Sequence, residues 1–315
     1  MIVTLAGGVG ASRLLRGLVA VVDPASVLAV VNTADDVVLH GLRVSPDLDT
    51  VTYALAGVAD AGRGWGVAGE SWTVMSALER LRPAAPDLSA AGTTWFRLGD
   101  RDLATHLYRT QRLREGATLS EVTAEIAQAF GLTCRLLPMT DDRVETRVVV
   151  DGEGEIGFQE YFVQRRHSVV VRSLRFAGAD AAVAAPGVVA AVGAPDRVVI
   201  APSNPLVSIA PVLAVPGIDD AVSARRDDTV AVSPIVAGVA LKGPADRLLA
   251  ELGHEPSVVG VARLWAPWAS TLVVDEADAA LAPAVEAEGV RCVVAPTVMH
   301  GATEAAALAR VVLGA

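Results

Sequence analysis

Four aspartates fall in two short stretches, Asn32-Thr33-Ala34-Asp35-Asp36 and Ser45-Pro46-Asp47-Leu48-Asp49-Thr50, just beyond an apolar run that ends at Val31. Carboxylates this close repel one another and raise each other's pKa unless a cation lies between them. Hard oxygen ligands at the carboxyl end of a strand suit Mg²⁺, which fills its other positions with waters and substrate phosphates. One apolar run earlier stands a glycine-rich turn, Gly7-Gly8-Val9-Gly10. Glycine lets backbone N–H groups approach a phosphate, and a helix opening there adds its positive end. The chemistry expected is a phosphate-bearing ligand held between a backbone cradle and a metal. The turn is not the dinucleotide fingerprint, because Arg13 stands where the third glycine belongs. Nor is it a P-loop, because no Gly-Lys-Ser/Thr follows. Each feature also has a plainer reading. The glycines make a tight turn, Asp35 and Asp36 are solvated, and Asp47 or Asp49 caps a helix beginning at Thr50. One cap accounts for one aspartate, not for two pairs beside a glycine-rich turn.

Further candidates stand at the ends of later apolar runs. Ser203, Asn204 and Pro205 form a proline-flanked turn of the kind that faces the crevice of a doubly wound sheet, or simply turns the chain. Ser233-Pro234 ends the next run, and Lys242 beyond it is a candidate phosphate cation or a solvated side chain. Asn32 and Thr33 either bond a ligand or finish their strand. Trp65, within Gly62-Arg63-Gly64-Trp65-Gly66, and the segment Trp95-Phe96-Arg97-Leu98-Gly99-Asp100-Arg101-Asp102-Leu103 join aromatics to charge. They are candidates for a flat ring or an anion, the second segment being also a charge-paired helix start. His40, His106, His167, His254 and His300 are scattered without metal-ligand spacing. Ser203 has no His/Asp pattern near it, so no hydrolase triad is read.

The elements that must position these residues read as α/β. A strand over 2–5, a helix over 12–20 and a strand over 27–31 make the opening unit of a doubly wound fold. A helix follows over 50–59. The stretch 61–180 reads as an insertion, mixed and largely helical. It holds a Pro/Ala-rich connection over 83–92, a helix over 102–113 and a capping box at Thr118-Leu119-Ser120-Glu121. Strands over 147–150 and 158–163 flank a turn at Asp151-Gly152-Glu153-Gly154. Strand–helix alternation resumes with strands over 198–201, 230–232, 258–261, 272–274 and 292–295 and a closing helix over 304–313. The organisation expected is a Rossmann-like, mostly parallel core from 1–60 and 181–315, capped by 61–180.

The 315 residues are 52% hydrophobic and only 4% aromatic, a composition that builds a Val/Leu/Ala/Ile core. A net charge of -10 provides no basic field for nucleic acid. Cys134 and Cys292 are expected as free thiols in a reducing cytosol. The first residues lack a basic region and cleavage site and read as a core strand, not a signal peptide. No uncharged run reaches the length of a membrane span.

In order and wording these motifs resemble the 2-phospho-L-lactate transferase family of coenzyme F-420 biosynthesis, including its phosphoenolpyruvate-using actinobacterial branch. The ordered set comprises Gly7 to Gly10, Asn32 to Asp36, Ser45 to Thr50, Gly64-Trp65-Gly66, Leu98 to Ala104, Pro138-Met139-Thr140-Asp141-Asp142, Phe158-Gln159-Glu160-Tyr161-Phe162, Pro202 to Pro205 and Val232-Ser233-Pro234-Ile235. Val9 and Ala34 stand where Thr and Gly are common. The resemblance implies a Rossmann-like core, a cytoplasmic homodimer and Mg²⁺. It also implies transfer of a phosphorylated three-carbon acid from a guanosine diphosphate-linked donor to a deazaflavin alcohol, releasing GMP. On that basis Asp35 and Asp49, with Asp36 or Asp47, are assigned to Mg²⁺, and Asp49 is the base for the ribityl hydroxyl. Gly8, Gly10, Ser203, Asn204 and Lys242 are assigned to the donor, Gly7, Asn32, Thr33, Thr50 and Pro205 to substrate binding, and Trp65 with the Trp95 segment to the deazaflavin. The Ala-, Val- and Arg-rich composition favours the phosphoenolpyruvyl donor. Two rival readings are a non-catalytic nucleotide-sugar-binding regulator of the gluconeogenesis-factor type and a nicotinamide-dependent oxidoreductase. The Ser45-to-Thr50 pattern disfavours the first; the missing third glycine disfavours the second.

Overall fold

The computed structural model describes residues 1–86 and 93–315. Its strands are, in order, β1 (Ile2–Ala6), β2 (Val27–Val31), β3 (Val37–Leu39), β4 (Leu42–Val44), β5 (Arg135–Pro138), β6 (Glu145–Val150), β7 (Gly154–Gly157), β8 (Val171–Ala177), β9 (Arg197–Ile200), β10 (Thr229–Val232), β11 (Ile235–Val236), β12 (Val239–Ala240), β13 (Thr271–Val274) and β14 (Arg291–Val294). Seven of them form one sheet in the order β14-β13-β10-β9-β1-β2-β5, every pair parallel. The apolar runs explain this. Alternate residues of one strand enter two different cores: Val3, Leu5, Leu28, Val30, Val198 and Ile200 on one face, and Ile2, Ala6, Val27, Ala29, Val31 and Val199 on the other. A strand buried on both faces has no polar alternation to lose, and both faces need helices to cover them.

Helix α1 (Gly8–Val21) and the C-terminal helix Ala302–Gly314 cover one face through Leu14, Leu15, Leu18, Leu308 and Val312. Helices Val188–Gly193, Ala245–Glu251 and Val258–Trp265 cover the other through Val188, Val192, Leu249, Val258 and Trp265. Successive strands leave β1 in opposite directions, β2 to one side and β9 to the other. The crevice above the β1 and β9 carboxyl ends is therefore the topological switch point, where ligands bind in this architecture.

Three expectations change. Residues 258–261 are not a strand. Ser257 caps Val259 and Gly260 N–H groups, and the Val-rich run that follows is a helix pressed apolar-side onto the sheet. Residues 158–163 are not a strand either: Glu160–Gln164 is a π-helical turn, and the strand before it is β7. The helix expected over 50–59 is α2 (Pro46–Leu55), started by Pro46 at its first position after Ser45. Asp47 and Asp49 thus stand inside its first turn, where its dipole favours carboxylates, and neither is its N-cap.

Within 61–180, α3 (Thr73–Leu81), α4 (Asp102–Arg114) and α5 (Leu119–Ala129) precede β5, and the Thr118–Glu121 capping box is present at α5. The boundary drawn there is crossed by β5, which pairs with β2 as an edge of the main sheet. The antiparallel β7-β6-β8 sheet stands apart from it. Of the 83–92 connection, residues 87–92 lie outside the described residues; Arg82–Ala84 is a 3₁₀ turn. Cys134 and Cys292 are free thiols. Among the described residues no helix is long and apolar enough to cross a membrane.

Candidate active site

The glycine turn closes the switch point at van der Waals limits. A Cβ on Gly10 would overlap the Pro202 carbonyl, and one on Gly7 would lie 2.7 Å from Ser208 Cβ and 2.8 Å from an Asp47 carboxylate oxygen. Ser203 Oγ donates to the Gly7 carbonyl at 2.7 Å and so ties the end of β9 to the end of β1. Asn204 accepts from the Leu206 N–H at 3.0 Å and fixes the turn that follows.

The aspartates sit deep beside this turn. Asn32 donates to Asp47 at 3.0 Å, and Ser45 to Asp36 at 2.6 Å. One oxygen each of Asp35 and Asp36 is buried without a hydrogen-bond partner. Burial, with the Asp47 charge next, pushes the Asp35 carboxyl well above its ordinary range. Burial likewise pushes Asp36 up to about 7 and Asp47 up to about 6, against the bonds from Ser45 and Asn32. Buried carboxylates with more oxygens than donors are the oxygen set a hard dication accepts. Asp35 and Asp47 both line the cleft and fit such an ion; Asp36 is turned toward Ser45 and does not reach the lining.

These shifts carry a sign. A folded-state pKa above the unfolded 3.8 means that folding favours the protonated carboxyl, so stability falls as pH rises from about 4 through about 7. The metal-free protein is expected to melt at a higher temperature at about pH 5 than at about pH 8, with Mg²⁺ restoring most at the higher pH. Melting curves in chelator and in Mg²⁺ across that range check this; a flat metal-free profile would contradict it.

Asp49 stands differently. It forms a buried ion pair with Arg109, whose Nη1 is 3.2 Å from its second oxygen. Arg109 is only 2% exposed. Burial works against its charge, but Asp49 more than offsets this and raises the guanidinium pKa. His106 Nδ1 lies 3.6 Å from Asp49 and its Nε2 3.2 Å from Asp102, which also accepts the Tyr53 hydroxyl at 2.6 Å. Burial opposes ionisation of Asp102, yet the His106 and Tyr53 bonds leave its pKa lowered. Oxygens and nitrogens of Asp49, Asp102 and His106 lie within 4.8 Å of one another, at metal-ligand range. With Arg109 already neutralising Asp49, the group is a buried polar cluster built around the Asp49–Arg109 ion pair.

The sequence reading missed Tyr53, His106 and Arg109. One signal was present: Asp102, His106 and Arg109 are spaced four and three apart on one face of α4.

The cleft, of about 700 Å³, carries charge of both signs in its lining. Asp35, Asp47 and Asp49 are among its acids; Arg13, Lys242 and Arg166 are among its cations, and these three cations are not salt-bridged among the described residues. Partial burial and then the Arg13 charge lower the Lys242 pKa. Trp65, Trp95, Phe96, Phe158 and Phe162 supply flat apolar surface. Gly7, Gly8, Gly10, Thr50, Ser203 and Asn204 reach the lining; Asn32, Thr33 and Pro205 stand behind it. A smaller hollow lined by Ala182–Gly187, Val189, Ala190 and Pro216 holds no ionisable side chain.

Residues 2–299 match the family described as 2-phospho-L-lactate transferase CofD. The chain belongs to the CofD family. Among curated relatives of this CofD-family chain, the phosphoenolpyruvate transferase of Kitasatospora aureofaciens is 43% identical over 99% of this chain and 96% of its own length. That of Mycolicibacterium smegmatis is 41% identical over 98% and 96%. The Thermobifida fusca protein of the same name is 44% identical over 88% and 87%. The CofD-family fold is also that of a solved Bacillus halodurans protein, BH3568, with a TM-score of 0.64 over 99% of this chain and 98% of that one at 16% identity. Its UPF0052 label accompanies a second structure with a TM-score of 0.60.

Proposed function

We propose that this CofD-family transferase moves a phosphoenolpyruvyl group, or its 2-phospho-L-lactyl counterpart, from a guanosine diphosphate-linked donor to the ribityl hydroxyl of a deazaflavin, releasing GMP in coenzyme F-420 biosynthesis. The observation that carries the reading is one cleft whose lining brings buried carboxylates, unpaired cations, a glycine turn and aromatic rings together. A diphosphate is the ligand that answers both charges: a metal held by the acids would neutralise part of its charge, and arginine and lysine would meet the rest. The relatives' names favour the phosphoenolpyruvyl donor.

In this reading Asp35 and Asp47 hold Mg²⁺, which when bound neutralises charge on the diphosphate and makes its phosphorus easier to attack. Asp49, expected from the sequence as both metal ligand and base, has both oxygens engaged by Arg109 and is proposed to keep the second role alone, orienting the acceptor hydroxyl and taking its proton. Both Asp49 oxygens already accept from Arg109, so the carboxylate contributes more by orienting the hydroxyl than by drawing off its proton. The larger share of the acceleration therefore falls to positioning and charge neutralisation, as is general in transfer at phosphorus. Gly8, Gly10, Arg13 and Lys242 hold the donor diphosphate, Ser203 and Asn204 its nucleoside side, and the aromatic wall with Trp65 the deazaflavin ring. The protein is proposed to be a cytoplasmic homodimer.

Incubating the protein with deazaflavin alcohol, Mg²⁺ and each guanosine diphosphate-linked donor in turn tests this. A deazaflavin product carrying the three-carbon phosphate, formed one-for-one with GMP and lost on chelation, is the expected result. Donor binding without product would move the reading to a nucleotide-binding regulator.

A further inference from the structure

Arg166 and His167 are consecutive non-glycine residues with left-handed backbone, φ +49 and +43. Side chains disfavour this conformation, and two in succession persist only where the surroundings over-determine them, a pattern concentrated at ligand clamps. They follow the π-helical turn Glu160–Gln164, itself a rare element associated with functional positions.

The surroundings are visible. Arg247 donates to the carbonyls of His167 and, at 2.7 Å, of Val169, and pairs with Glu251. The other Glu251 oxygen accepts the Val171 N–H at 2.8 Å. Phe162 stacks on His167 with ring centroids 5.8 Å apart and on Phe158 at 5.5 Å. The loop is thus fastened from behind, and what it offers forward is Arg166, on the cleft lining. The preceding Arg165 is paired with Glu153 and Glu160, whereas Arg166 has no carboxylate partner among the described residues. Phe162 Cε2 lies 3.8 Å from where a Cβ on Gly243 would stand, so this turn abuts the Lys242 loop.

We propose that Arg166 is a specificity-determining residue that reads the carboxylate of the three-carbon acid on the donor, and that Arg247 is its positioning residue. The inference rests on the transferase reading above. The glycine turn, Arg13 and the lining acids serve the diphosphate. The carboxylate is the donor's remaining charge, and a guanidinium fork matches it with two parallel hydrogen bonds. It is also the group that separates the donor from plain guanosine diphosphate.

The test is equilibrium titration of the full chain in Mg²⁺ with guanosine diphosphate and with its lactyl-phosphate-linked donor analogue. The unaltered protein is expected to prefer the acid-bearing compound by about 10- to 100-fold, the worth of a charge-assisted pair. Arg166→Gln removes an exposed side chain and is expected to abolish that preference while binding guanosine diphosphate as before. Arg166→Lys retains part of it, as a point charge without the fork. Arg247→Met weakens it without touching the cleft. A preference undiminished in Arg166→Gln would overturn the inference and leave the transferase reading standing. Binding of neither compound by the unaltered protein would overturn both.

Discussion

Asp35→Asn is expected to give a protein that is more stable without metal and nearly inactive with it. The Asp35 carboxyl is buried, one oxygen lacks a donor, and the Asp47 charge opposes its ionisation. The amide removes that repulsion, so the metal-free melting temperature at about pH 8 rises. The same change removes a hard ligand from the proposed Mg²⁺ site. Metal assistance at phosphorus is worth several kcal/mol, so turnover falls by about two orders of magnitude or more. Thermal melts in chelator beside steady-state rates in Mg²⁺ read both quantities. A destabilised variant with normal rates would contradict the assignment on both counts.

Arg109→Met is expected to have the opposite stability sign. It leaves Asp49 buried and unpaired, with His106 as its remaining neighbour. Breaking a buried pair from one side costs about 3–5 kcal/mol, or on the order of 10 °C in melting temperature for a chain of this size. Adding Asp49→Asn to that background removes the stranded charge and recovers much of the loss, because a neutral pair no longer requires the counter-ion. Activity does not follow stability here. The double variant keeps a fold but lacks the hydroxyl-orienting carboxylate, and its turnover stays at least about 10²-fold down. A double variant that recovered rate along with stability would reduce Asp49 to a structural ion.

Much of this architecture is legible because the core uses one device repeatedly. Short Val-rich runs separated by helical spacing become parallel strands, and the runs at 27–31, 229–232 and 271–274 all do. The same device misleads at 258–261, where Ser257 starts a helix and the valines face the sheet from outside it. Valine content reports burial, and burial alone does not choose between strand and helix. Residues 158–163 mislead for a related reason. Phe158, Tyr161 and Phe162 form an aromatic cluster, a contact made in three dimensions from a turn that has no sequence period of its own. At the site, the acids were readable because they are neighbours in sequence. Their partners were not: the Arg109 cation is 60 positions from Asp49, and the Tyr53 hydroxyl is 49 from Asp102. Arg166 shows itself through its backbone angle and its place on the cleft lining, neither of which has a sequence signal.

The place of β1 in the sheet has a consequence for synthesis. One side of β1 pairs with β2, made within the first 31 residues, but its other side pairs with β9, as far along as Ile200. On a ribosome β1 therefore exposes an unpaired apolar edge until two hundred residues have emerged, an edge able to accept strands from other nascent chains. The strands of the half-sheet β1-β2-β5 all lie before residue 139, whereas β9, β10, β13 and β14 come later in the chain. The switch-point crevice is the seam where the two meet, and it exists only once both are present.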